Sequence, residues 1–197
     1  MKIITIPHPT LRKTASVITK VNEQLIKFIK ELEKSLADSQ NPRGVGLAAP
    51  QVDKLLRVFT TNLPDGDDPG QPGDRPLGEL RHFINPVISR ACKRKKVLGV
   101  NPKDPDLEGC LSMPRIYGPV PRHRWVELEF QTLVNGKLHD HKERFDNFSA
   151  RVIQHELDHL DGILFTDYSL EHDLPVYLQS NDSENLVEID KELIKLI

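Results

Sequence analysis

Residues Gln154 to Gly162 read QHELDHLDG, with two histidines four positions apart and a glutamate directly after the first. A helix advances about 100° per residue, so His155 and His159 lie one turn apart on one face. Two imidazole nitrogens can then meet one metal ion. Glu156, offset by one position, can stand beside the metal as a general base acting on water. The competing reading is a solvated helix face carrying two surface histidines.

The third ligand is open on this stretch alone. The long zinc-protease pattern continues with a glycine and then a third histidine. Gly162 is present, but Phe165 fills the ligand position and cannot bind a metal. A second protease class takes a downstream glutamate from a following helix. Glu171 and Glu184 are the candidates, on a segment with no evident helical period. A third source is a thiolate, and Cys110 sits within EGCLSMP, residues Glu108 to Pro114. Cys110 could equally be a buried free thiol.

Three segments occur in order: GVGLAAPQ at Gly44 to Gln51, EGCLS at Glu108 to Ser112, and QHELDH at Gln154 to His159. Together they resemble the signature segments of the peptide deformylases. IPHPTLRKTA near the start, INP at Ile84 to Pro86 and VPR at Val120 to Arg122 extend the resemblance over roughly Ile3 to Tyr168. It implies that Cys110, His155 and His159 ligate one divalent metal, with water in the fourth position, and that Glu156 is the general acid and base. It also implies that Gln51 and the backbone N–H of Leu111 stabilise an oxyanion. Substrate contacts fall on Gly44, Val45, Gly46, Glu108, Gly109, Arg122 and Val152. For Glu108 the residues leave open either the orientation of a neighbour or a surface carboxylate. For Arg122 they leave open substrate contact or strand-edge solvation. Asp158 is expected in a supporting or salt-bridge role.

The implied reaction removes the formyl group from the N-terminal methionine of new polypeptides. A metal with an open position turns water into a nucleophile near neutral pH. An amide side chain and a backbone N–H suit the negative oxygen of the tetrahedral intermediate, and losing one such donor typically costs about 10²- to 10³-fold in rate. Gly44 and Gly46 let a substrate backbone approach closely, and an extended peptide could add to this segment as a strand. Cysteine with two histidines suits Zn²⁺, Fe²⁺, Ni²⁺ or Co²⁺; the resemblance favours Fe²⁺. The rival functions are a metallopeptidase using Glu171 or Glu184, and a non-catalytic binding module braced by its metal.

These residues need a scaffold. Asn22 to Ser39 reads as an amphipathic helix, with Leu25, Ile29, Leu32 and Leu36 on one side, Asn22 as its cap and Asn41-Pro42 as its stop. Leu55 to Thr61, Phe83 to Ala91 and Lys95 to Val100 read as strands. Trp125 to Phe145 reads as a hairpin turning at Asn135-Gly136. Phe148 to Leu160 is the metal helix, with Asn147 as its cap and Gly162 as its stop. Met113-Pro114 is expected to be a turn, and for Gln154 the residues leave open the orientation of a neighbour or a solvated helix position. The order predicts an α+β fold: antiparallel β-sheets packed around the metal-binding helix, with an N-terminal helix. We expect one catalytic domain over residues 1–168, with a long surface loop at 62–79, and a tail at 169–197 packing on the same domain.

Bulk properties agree with such an enzyme. The 197 residues suffice for one core, and 38% hydrophobic with 28% charged residues is the balance of a soluble globular chain. A net charge of −2 gives no support for DNA binding. No apolar run approaches the roughly 18 residues of a membrane span, and the N-terminus lacks a secretory pattern. Two cysteines, Cys92 and Cys110, fit a reducing compartment, and we expect a cytoplasmic location, with an organelle as the alternative. The Lys93 to Lys96 run could touch RNA on the ribosome, a solvated strand end being the favoured reading. His8, His82, His123, His139, His141 and His172 have no partner spacing and are expected at the surface.

Overall fold

Leu25, Ile29, Leu32 and Leu36 are all buried along helix α1, Glu23–Ala37. The Asn22 side chain accepts a hydrogen bond from Leu25 N at 2.8 Å, satisfying one of the free N–H groups of the first turn. The structure, a computed structural model, describes residues 1–40, 43–63, 78–97, 107–180 and 185–195. The expected stop at Asn41-Pro42, most of the 62–79 loop, the end of the 95–100 strand and Glu184 lie outside the described residues.

α1 packs on a five-stranded antiparallel sheet built from β1 (Gly46–Ala48), β2 (Val58–Thr61), β3 (Arg81–Ala91), β8 (Trp125–Val134) and β9 (Lys137–Asp146), in that spatial order. Successive side chains on a strand point to opposite faces. Leu47, Val58 and Ile84 therefore join α1. Their neighbours Ala48, Phe59 and Phe83 join the second helix, α2 (Asn147–Leu160), with Val126, Leu128 and Phe130 of β8. With both faces covered, β2 is buried throughout, so its sequence shows no alternation. The β8–β9 hairpin turns at Asn135 and Gly136, whose φ values of 50° and 75° belong to a two-residue turn of the primed type.

A four-stranded sheet lies in the order β11 (Leu186–Glu188), β10 (Tyr177–Gln179), β6 (Met113–Gly118), β5 (Glu108–Cys110). A short pair joins β4 (Lys95–Val97) to β7 (Pro121–His123). Leu11, Met113, Val120, Leu164 and Phe165 form a second apolar cluster that includes Cys110. Helix α3 spans Phe165–Glu171 and α4 spans Lys191–Ile194.

The antiparallel α+β architecture is as expected, with several local corrections. The second strand starts at Val58, not Leu55. Met113-Pro114 opens β6, and the turn falls two residues earlier at Leu111 and Ser112. Extended backbone before a proline suits a strand as well as a turn. The cap of α2 is Asp146, without a side-chain cap bond, while Asn147 is its first residue. Gly162 does end α2: its φ is 74°, and a Cβ there would meet the Arg12 carbonyl carbon at 2.8 Å. Glu171, on a stretch with no evident helical period in the sequence, ends a short helix, α3.

Candidate metal centre

α2 carries His155 and His159 one turn apart, their rings edge-on with centroids 4.9 Å apart. The hairpin β5–β6 delivers Cys110 from the other side, with a register shift between Gly109 and Cys110. Cys110 Sγ lies 3.2 Å from His159 Nε2. Among the described residues, Cys110, His155 and His159 form a group whose ligand atoms all lie within 4.8 Å of one another. Chain segments 45 residues apart in sequence, from Cys110 to His155, therefore meet at one point.

The electrostatics fit a cation there. Burial opposes charge on His155, yet its hydrogen bonds to Cys110 and Glu108 raise its pKa well above the ordinary value. A divalent ion would compete with protons for these same donors. Burial, then the charges of His155 and Arg122, push His159 well below its ordinary value, leaving the neutral imidazole a ligand requires. One thiolate and two imidazoles are borderline-soft donors suited to a first-row transition metal.

Glu156 stands beside this group. Its side chain is buried, its Oε2 carries no hydrogen bond, and burial pushes its pKa up to about 7. A carboxyl poised near neutrality can both take and return a proton. Gly46 makes room for it: a Cβ at that position would sit 2.2 Å from Glu156 Oε1 and 2.7 Å from its Cδ. Gly46→Ala should displace the Glu156 carboxylate and lower kcat by about 10²-fold, the scale of a misplacement near 1 Å. Metal content should be unchanged. Parallel assays of kcat and bound metal check this.

Gln51, only 1% exposed, lies on a 3-10 turn at Ala49–Val52. Its Oε1 accepts from Ala48 N at 2.8 Å, which fixes the amide with Nε2 directed to Cys110 Sγ (3.5 Å) and Ser112 Oγ (3.2 Å). Leu111, between Cys110 and Ser112, forms the turn out of β5 and packs with Leu47 and Leu36. Gly44 makes room for it, since a Cβ there would meet Leu111 Cδ1 at 2.9 Å. Val45 precedes β1, and its carbonyl accepts from Asn62 N at 2.9 Å. Gly109 lets the Tyr117 ring lie close, at 2.8 Å from a would-be Cβ. Val152 is buried on α2, one turn before Glu156.

Glu108 and Arg122 turn out to be buried behind the cluster. The Arg122 guanidinium meets both Glu108 oxygens, at 2.8 and 2.9 Å, and Glu108 Oε2 also meets His155 Nδ1 at 3.1 Å. Burial opposes the charge on Glu108, but Arg122 outweighs it and holds the carboxyl well below the usual range. Of the readings left open, Glu108 orients a neighbour and Arg122 is not strand-edge solvation.

Three other expectations change. Gln154 is buried, not solvated: its amide bonds the backbone of His123 through both ends at 2.9 Å. His82 is largely buried, bridging Glu33 and Leu133 N at 2.8 Å each, and His123 Nδ1 lies 2.7 Å from Cys92 O. Glu171 ends α3 with its carboxylate exposed and 3.9 Å from His172, outside the metal cluster. Two contacts had no signal in the sequence: Ser112 with Gln51, and Tyr168 with Asp158.

The family model described as polypeptide deformylase matches residues 1–173. The chain belongs to the polypeptide deformylase family. A peptide deformylase of Rhodopirellula baltica is 38% identical over 169 residues, covering 85% of this chain and 72% of the relative. One from Thermomicrobium roseum is 36% identical over 184 residues, covering 92% and 93%. Among solved structures, the peptide deformylase of Thermotoga maritima matches with a TM-score of 0.66 and 31% identity, covering 85% of this chain and 95% of that one. Membership explains why two clustered imidazoles and a buried carboxylate share one helix opposite a thiol: the chain is a metal-dependent deformylase.

Proposed function

We propose that this deformylase holds one divalent metal on Cys110, His155 and His159 and uses it to hydrolyse N-formylmethionyl peptides to formate and a free amine. The convergence of those three donor atoms within 4.8 Å, with Glu156 beside them, carries the reading. When bound, the ion supplies Lewis acidity, which makes water acidic near neutral pH.

The chain's own groups do the rest. Glu156 takes the proton of the attacking water and returns it to the leaving amine as the C–N bond breaks. Gln51 Nε2, held by the Ala48–Gln51 bond, and the Leu111 N–H are the donors assigned to the developing oxyanion. Glu108 accepts from His155 Nδ1 and so keeps the opposite nitrogen bare for the metal. Among the described residues β1 is an edge strand paired only with β2, so a peptide can add along Gly44, Val45 and Gly46. Gly109 and Val152 complete the proposed substrate contacts. Arg122 and Glu108 are assigned an indirect part, since their charged groups engage each other.

Formate release from formyl-Met peptides, set against acetyl-Met peptides, tests this reading. Turnover of the formyl substrate alone is expected; equal turnover of both would point to a broader amidase. For the native metal we favour Fe²⁺ over Zn²⁺, Ni²⁺ or Co²⁺. Iron beside a thiolate is open to oxidation. Anaerobically purified protein should contain iron and lose activity in air, and full activity after long aerobic handling would argue against iron. A cytoplasmic location agrees with the two free cysteines. No helix among the described residues is long and apolar enough to cross a membrane. A transient ribosome contact would fall on the exposed run at 93–96.

A further inference from the structure

Arg122 is 4% exposed, and all three guanidinium nitrogens are engaged. Nε and Nη2 hold Glu108, while Nη1 meets Asp158 Oδ2 at 2.6 Å. Asp158 Oδ1 in turn accepts from the Tyr168 hydroxyl at 3.0 Å. Glu108 reaches His155 Nδ1. An unbroken path therefore runs from Tyr168 on α3 through Asp158, Arg122 and Glu108 to a metal-ligating ring.

One carboxylate would neutralise this guanidinium, yet two are present. Burying a second carboxylate is costly, so its contacts must return something. Glu108 grips one side of the planar fork and Asp158 grips the remaining nitrogen, which stops the fork from swinging. A fixed fork fixes the Glu108 oxygen under His155 Nδ1, and thereby the tautomer and tilt of the imidazole. Tyr168 is held for its part by cation–π contact with Arg122 at 5.1 Å and Lys95 at 5.5 Å from its ring centroid.

We propose that Asp158 and Tyr168 are positioning residues for the metal centre. Through Arg122 and Glu108 they hold the His155 ring with Nε2 bare for the metal. The inference rests on the assignment of His155 as a ligand.

The test uses the full chain with Asp158→Asn and Tyr168→Phe. Zinc affinity is read by competition with a chromophoric chelator, and the Co²⁺-loaded protein by its visible absorption. Asp158→Asn should weaken zinc binding by about 10- to 100-fold, the range for partners of metal ligands, and alter the cobalt bands. It should lower kcat for formyl-Met peptide with little change in KM. Tyr168→Phe keeps both carboxylates and should act in the same direction with a smaller effect. Combining Asp158→Asn with Glu108→Gln should cost less than the sum of the two, because both act along one path. Zinc affinity and cobalt spectra unchanged in both variants would overturn the proposal, whatever happens to Tm. If Asp158→Asn fails to fold, Tyr168→Phe decides. Wild-type protein that binds no zinc would sink the metal assignment and the proposal together; unchanged variants of a zinc-binding protein would sink only the positioning role.

Discussion

Replacing Glu156 with glutamine should lower kcat by about 10²- to 10⁴-fold, the usual contribution of a general acid–base group. Glutamine keeps the size of the side chain and cannot exchange a proton. The carboxylate is not among the three clustered donors, so one metal ion per chain should remain. Its Oε2 makes no hydrogen bond, so that atom has no structural partner to lose. The folded fraction should therefore hold. Kinetics on a formyl-Met peptide with metal analysis of the same sample give the result. A variant with full metal and unimpaired kcat would remove Glu156 from the mechanism.

Cys110→Ala should have an effect of a different kind. It removes the only sulfur from the cluster and leaves two imidazoles on one helix. Changes to outer partners of metal ligands typically cost about 10- to 100-fold in affinity, and deleting a ligand should cost more than about 100-fold. Activity should fall with metal content, and saturating metal should restore little of it. The thiol also accepts from Gln51 Nε2 and Ser112 N, so the loop carrying Leu111 should loosen as well. Thermal unfolding in excess metal separates the two consequences: wild type should gain stability from the ion, and the variant should not. Metal retained at full occupancy would mean that another group completes the site.

How far the sequence could be read depends on the range of the interaction. α1, the β8–β9 hairpin and α2 follow from local patterns: a period near four for Leu25 to Leu36, Asn135-Gly136 at a turn that needs positive φ, and a glycine past Leu160. The donor set was legible through three spaced motifs. Geometry alone left Cys110 among several candidates, because nothing local to residue 110 says that it meets residue 155. α3 was missed because seven residues are too few to display a period, and two of them, Thr166 and Ser169, are buried polar residues. Gln154, Glu108 and Arg122 are polar and were given surface alternatives. Each is buried because its partner, His123 backbone for one and the opposite charge for the others, arrives from a distant strand.

The shared metal site is tested most directly by X-ray absorption at the edge of the bound metal in the anaerobic, fully loaded protein. The expected first shell holds one sulfur at about 2.3 Å and two imidazole nitrogens at about 2.0–2.1 Å, with the sulfur absent from any metal that Cys110→Ala retains. A first shell of nitrogen and oxygen only in the wild-type protein would contradict it.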